Sequence, residues 1–394
     1  MPAIRRSRSI TALLLGLAAT VAPLAHAQSS TLFTVTRLGN LGGSTAIQPT
    51  ALNDSALVVG YGNSSSNSNY NAYAYSSSFA SLGTLGGTQS RALGVNNTGT
   101  VVGWSNFSSG SSNYHAFASS GGTMTDLGTL GGTLSQANDI NASGTIVGTA
   151  GTGTTTHGFR YANGVMTDLG TLIGATGVSY ANAINSAGLV AGRSNASMTS
   201  DHAVIWSSGT ILDLGTLSGP SGQSEAQGIN DLGWVVGNST YGAGNLSTRH
   251  AFLYANGAMT DLGSLGGSSW ATDVNNAGQV VGYSYLANGS TMRPFFYDYS
   301  SGAMVDLSTV ANFSGAGFNL AYGLGQVWDI NEAGQIVGWG ITNQFTYEAY
   351  LLTPLVAPTS LTSVPEPATY AALAGALALA LVFVRRRTAK TNLA

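Results

Sequence analysis

One short pattern occurs seven times in this chain, and no other feature restricts its fold as strongly. DINASGTIVG at 139–148 returns as LNDSALVVG, VNNTGTVVG, INSAGLVAG, INDLGWVVG, VNNAGQVVG and INEAGQIVG. The asparagines of the seven copies are Asn53, Asn96, Asn141, Asn185, Asn230, Asn275 and Asn331, spaced 43 to 45 residues apart except for a last step of 56. Two further landmarks keep the same period. LGNLGG at 38 and LGTLGG at 82 and 127 return in looser form, and HAFLY at 250 has relatives at 71, 115, 157, 202, 293 and 348. A unit this short cannot bury its own apolar face, so it must stack against its neighbours.

Each unit parses into four strands. The first ends at the Asn, and a short connection holding Gly144 or its equivalent leads into the apolar ThrIleValGly strand. Asn opens such a turn by bonding its own backbone, and Gly supplies the left-handed residue. HAFLY is the third strand and AMTDLG the fourth, joined through Ala255, Asn256 and Gly257. Four antiparallel strands at this period describe one propeller blade. The fold class expected is therefore all-β, a seven-bladed β-propeller of four-stranded antiparallel blades. Phe33–Gly39 matches a fourth strand and residues 348–353 match a third, so an N-terminal strand would close the ring and leave no open sheet edge.

The residue opening strand three varies together with the residue before the Leu of strand four. His115 goes with Asp126, His157 with Asp168, His202 with Asp213 and His250 with Asp261, and at the junction of the termini Glu348 would face Arg37. Hairpin registers place such positions opposite or diagonal on one face. The four histidines left after signal removal all follow the repeat, which favours a structural His–Asp pair over a metal ring or a catalytic base. Acids outside the repeated position are few and scattered, among them Glu225, Asp231, Asp298 and Glu332, and form no obvious carboxylate pair for glycoside hydrolysis. No catalytic, cofactor-binding or metal-ligating residue is assigned, and an enzyme ranks last among the functional readings. This period with HAF-type third strands resembles the extracellular HAF-repeat family over nearly all of residues 31–354. The resemblance implies an exported repeat protein and little about activity.

The ends of the chain read as targeting segments. Arg5, Arg6 and Arg8 precede an apolar run from Ile10 to Leu24, and Ala25-His26-Ala27 offers a signal-peptidase site with cleavage before Gln28. Near the other end, Ala368 to Val384 is a run of 17 uncharged residues, just long enough to cross a bilayer as a transmembrane helix. Pro365-Glu366-Pro367 stands before it and Arg385, Arg386 and Arg387 follow. This tripartite tail resembles the PEP-CTERM sorting signal of Gram-negative bacteria. That resemblance implies recognition by an exosortase, a transient inner-membrane stage, and a mature protein at the cell surface or outside the cell. The expected organisation is a signal peptide over 1–27, the repeat region over 28–356, a linker over 357–364 and the sorting signal over 365–390, with its basic tail at 385–390.

Between the two targeting segments there are six arginines, no lysine and fifteen acids, a net charge near −9. Nucleic acid is excluded as a natural partner, because phosphate binding needs clustered Lys and Arg. No cysteine is present, so disulfides and thiolate chemistry are excluded as well. The connections between strands two and three carry Tyr61, Tyr70, Trp104, Tyr114, Tyr241, Tyr283 and Trp339 among Asn, Ser and Gly, and should emerge as loops on one face of the ring. Aromatic platforms with adaptable polar neighbours suit a neutral polysaccharide such as an exopolysaccharide. A ligandless structural matrix protein, in which Asn, Ser and Gly merely keep the loops soluble, is the alternative. The final unit departs from the repeat at 311–326, where unit-specific behaviour is expected.

Overall fold

A computed structural model describes residues 31–41, 46–64, 67–108, 113–242, 248–321 and 324–358. The signal segment with Ala25, Ala27 and Gln28, and the tail with Pro365, Glu366, Pro367, the span 368–384 and Arg385 to Arg387, lie outside these residues. Among the described residues no helix is long and apolar enough to cross a membrane.

Seven four-stranded antiparallel sheets follow one another along the chain. Blades 1 to 6 take residues 47–83, 90–126, 135–168, 179–213, 224–263 and 266–306, each running from an inner strand out to a fourth. Blade 7 is built from both ends of the chain. Leu324–Ile330, Ile336–Ile341 and Tyr347–Pro354 supply its first three strands, and Phe33–Gly39 adds the fourth. Phe33 pairs with Pro354 and Arg37 with Tyr350, and this register brings Arg37 Nη2 to 2.6 Å from Glu348 Oε1. Each inner strand packs against the inner strands of its two neighbours, including the first against the last, so the ring is closed.

The repeat landmarks each have a packing role. Ala116, Ala203 and Ala251 of the HAF-type strands are fully buried, as are Phe117, Phe159, Phe252 and Phe295, because both faces of a blade are covered by its neighbours. Burial of each such Phe stabilises the fold by roughly 2 kcal/mol. The core lies between blades rather than inside one, as where Ala203, Ile205 and Leu214 of blade 4 meet Ala226, Ile229 and Phe252 of blade 5. The third and fourth strands of blade 5 join through Asn256 and Gly257, with φ of 54° and 79°, the two left-handed residues a tight hairpin requires. Every inner strand carries a bulge at the same place, for example between Ala92 and Gly94. The Gly of the second strand answers it: a Cβ at Gly103 would run into the Arg91 carbonyl.

Within the insertion at 311–326, the described residues 311–321 pack onto blade 7. They bury Phe313 and Phe318, 0% and 1% exposed, edge-on against Tyr350, and so thicken the core of the blade where the termini meet.

Candidate functional site

Polar side chains in this ring fall into two groups, those fixed by the repeat and those that vary between blades. The fixed group ends each inner strand. Asn53 Nδ2 donates to the Asn96 carbonyl at 3.1 Å, Asn96 to Asn141 at 3.2 Å, Asn141 to Asn185 at 3.0 Å and Asn185 to Asn230 at 3.0 Å. Asn230 continues to Asn275 at 3.0 Å, Asn275 to Asn331 at 3.2 Å, and Asn331 returns to Asn53 at 3.1 Å. Seven buried amides thus form one closed circuit. Each Oδ1 also holds its own turn, as Asn230 does by accepting from the Leu232 and Trp234 amides. The sequence reading explained these asparagines as turn residues and missed the circuit. The clue was present in the sequence, since Asp or Ser could open the same turn yet neither ever replaces Asn.

Other fixed polar groups do similar work. His115 Nδ1 lies 2.8 Å from Asp126, His157 2.7 Å from Asp168, His202 2.9 Å from Asp213 and His250 3.0 Å from Asp261. The pairing is diagonal: Asp126 stands opposite Phe117, two residues beyond His115. Each of these aspartates also accepts the amide two residues on, as Asp126 does from Gly128. Glu225 pairs with Arg193 at 3.4 Å, Asp298 holds the Ser300 turn, and Asp231 and Glu332 join bonds between blades beside the Asn circuit. Three inner-strand carboxylates, Asp139, Asp273 and Asp329, each accept an amide of the next blade. Burial pushes Asp139 up to about 6. Burial raises Asp273 and Asp329 as well, and these two hydrogen-bond each other. Among the described residues no group of three or more His, Asp or Glu is placed to hold a metal ion.

The varying group occupies the opposite end of each blade. Because the bulge fixes the register, one inner-strand residue stands directly opposite the residue after the second-strand Gly: Gln48 opposite Tyr61, Arg91 opposite Trp104, Gln136 opposite Thr149, Tyr180 opposite Arg193, Glu225 opposite Asn238 and Trp270 opposite Tyr283. A third-strand residue lies diagonal to each pair. In blades 1, 2 and 7 it is Tyr70, Tyr114 and Tyr347. Blades 7, 1 and 2 therefore present aromatic pairs. Trp339 and Tyr347 have ring centroids 5.4 Å apart, Tyr61 and Tyr70 5.5 Å, and Trp104 and Tyr114 4.7 Å. Blades 4 and 5 present a charged network instead, in which Arg193 binds Asp201 at 2.6 Å and Arg249 binds Asn238 and Gln223.

Five of the seven aromatics singled out from the sequence, Tyr61, Tyr70, Trp104, Tyr114 and Trp339, thus share one arc. Tyr283 stacks on Trp270 in blade 6 at 5.3 Å, and burial pushes its hydroxyl up to about 12. Tyr241 stands apart, stacked on His250 of blade 5 at 3.9 Å. All but Tyr241 are half-buried strand residues rather than loop residues, because strands two and three run past the segment the sequence reading took as connection.

Next to the arc, at blade 3, a cavity of about 730 Å³ opens and reaches into the axial channel. Here the blade positions are small, Thr149 and Thr156, between Tyr114 on one side and Tyr180 on the other. Gln136, Asn138, Asn182 and Gln227 line its depth, and no charged side chain lines it. A second cavity of about 330 Å³ lies between blades 7, 1 and 2, lined by Gln48, Tyr61, Tyr70, Arg91, Trp339 and Tyr347. Gln48 and Tyr61 line both.

No family model matches this chain, and no curated protein matches it. Several solved structures do. TolB from Acinetobacter baumannii is 10% identical with a TM-score of 0.37, the match covering 62% of this chain and 61% of that one, so this chain spans less than two thirds of that protein. TolB from Agrobacterium tumefaciens is 12% identical over 61% of this chain and 84% of that one, with a TM-score of 0.34. A subtype N11 neuraminidase-like protein of a flat-faced bat isolate is 11% identical over 86% of this chain and 97% of that one, with a TM-score of 0.37. At these scores nothing about activity passes from them to this chain.

Proposed function

We propose that the chain is an exported HAF-repeat propeller of the bacterial cell surface or biofilm matrix that binds exopolysaccharide at the varying end of its blades. The observation that carries the reading is the 730 Å³ cavity. Its size suits a ligand site, and its walls offer amides, hydroxyls and the rings of Tyr61, Tyr114 and Tyr180 without one charge. Sugar hydroxyls find partners there, and apolar sugar faces find rings. Export rests on the two targeting segments, and their removal leaves the fold whole. The first strand begins at Phe33, beyond the cleavage site before Gln28, and the last ends at Pro354, before Pro365. Signal peptidase and exosortase are the processing partners on this reading, with the span 368–384 present only until sorting is complete.

The test is binding of the mature chain to exopolysaccharide extracted from the producing cells. The Tyr61→Ala, Tyr114→Ala double variant should lose about tenfold or more in affinity, as central interface aromatics do. Its melting temperature should fall only modestly, since both rings are only half-buried. Unchanged affinity in a folded double variant would favour the ligandless matrix protein.

A further inference from the structure

Of the six strand arginines, two lack a carboxylate or amide-oxygen partner among the described residues: Arg160, which is exposed to solvent, and Arg91, which is not. Arg37 pairs with Glu348, Arg193 with Asp201 and Glu225, and Arg293 with Asp306, while Arg249 is held by two amide oxygens. Arg91 pairs with no carboxylate among the described residues, in a chain whose acids outnumber its bases. Its guanidinium carbon sits 4.4 Å from the ring centre of Tyr61, 4.9 Å from Tyr70 and 5.2 Å from Trp104. Its Nε is fully covered and has no hydrogen-bond partner.

Three ring faces offset the charge of a guanidinium but leave its N–H donors in need of oxygen. The place from which oxygen can arrive is the 330 Å³ cavity, which Arg91 lines as the one charged residue, between Tyr61, Tyr70, Trp339 and Tyr347. A planar fork of donors walled by aromatic rings fits a carboxylate that is carried on a ring with an apolar face. Sharing Gln48 and Tyr61, the cavity adjoins the larger uncharged one, so a single glycan chain can occupy both.

We propose that Arg91 and its aromatic surround form a subsite for the carboxylate of a uronic acid unit, next to a site for neutral units. This rests on the polysaccharide-binding reading and narrows it to acidic glycans. It also explains why the charged network of blades 4 and 5 is internally paired whereas the single cation of the aromatic arc is not.

The experiment titrates the mature chain with glucose, galactose and mannose and with glucuronate, galacturonate and mannuronate, following tryptophan fluorescence, and repeats this with Arg91→Gln and Arg91→Lys. At least one uronate should bind about tenfold tighter than its parent sugar, a difference of about 1.4 kcal/mol. Arg91→Gln should erase that preference, so that the uronate and its parent sugar bind alike. Arg91→Lys keeps a cation among the rings but loses the fork, so it should keep only part of the preference while remaining folded. Equal binding of acid and neutral sugars by the parent, or an undiminished preference in folded Arg91→Gln or Arg91→Lys, would overturn the subsite and leave the wider reading standing. Inorganic sulfate quenching as strongly as the best uronate would overturn the carboxylate assignment. Failure of every sugar to bind the parent would overturn both.

Discussion

The two ends of each blade follow opposite rules. At one end the same Asn stands in all seven blades and bonds to the next, so a change in any copy breaks a circuit shared by the whole ring. At the other end the residue after the second-strand Gly is Tyr61, Trp104, Thr149, Arg193, Asn238, Tyr283 or Trp339, and no two neighbouring blades carry the same residue there. Both ends sit on the same strands and the same hairpins, so backbone geometry cannot explain the contrast. The difference lies in what the side chains bond to. Where a polar group is used between blades it cannot vary without leaving a buried partner unmet; where it faces a cavity or solvent it is free to differ. Position in the repeat therefore separates residues that hold the ring from residues available to a ligand.

The largest test of this contrast is Asn185→Ala. It removes the donor to the Asn230 carbonyl and the acceptor for the Leu189 amide, both in a buried setting. Leaving such groups unmet costs about 1–3 kcal/mol each, so a loss of roughly 3 kcal/mol is expected in denaturant unfolding. Thr149→Ala at the varying end of blade 3 should cost less than about 0.5 kcal/mol. Similar costs for the two changes would dissolve the distinction.

A second effect, bounded by the same size, concerns the inner-strand acids. Asp139 titrates near 6 in the folded ring and near the ordinary carboxylate range when unfolded. Between those values the native state holds the proton and the unfolded state does not, so stability falls as pH rises from about 4 to 6. Asp139 contributes at most ~3 kcal/mol to that fall, the whole of its shift converted. Asp139→Asn should flatten this part of the stability profile and narrow the gap between melting temperatures at pH 5 and pH 8. An unchanged slope would show that the carboxylate is already ionised and solvated.

Much of the fixed end could be read from sequence because its signals are local. Asn followed by Gly three residues later, the Asn256-Gly257 hairpin and the Ala-Phe alternation each report a turn or a buried face within a few residues, and the paired change of His and Asp reports a diagonal contact within one hairpin. The matching strands at the two termini made closure legible too, down to Arg37 and Glu348. Contacts between blades were not legible in the same way. Nothing near Asn53 in sequence identifies Asn96 and Asn331 as its partners, because those contacts exist only once the ring has closed. Arg91 was missed for a related reason: its neighbours Tyr61 and Tyr70 belong to the preceding blade, and within its own unit it looks like one solvated residue of an inner strand. The aromatics were recognised as a group, yet were placed in loops because the Ser- and Asn-rich composition around them hides how far the strands extend. Phe313 and Phe318 were hidden in the same manner inside an insertion rich in Gly, Ser and Asn.

Hydrogen exchange of the mature chain with and without the exopolysaccharide probes both ends in one experiment. Binding at the varying end predicts slower exchange at amides around Tyr61 to Asn63, Trp104 to Asn106 and Gly151 to Thr156, with the turns that follow Asn53, Asn96 and Asn141 unchanged. Protection concentrated at those Asn turns, or spread evenly over all seven blades, would contradict the division of the molecule into an end that holds the ring and an end that binds.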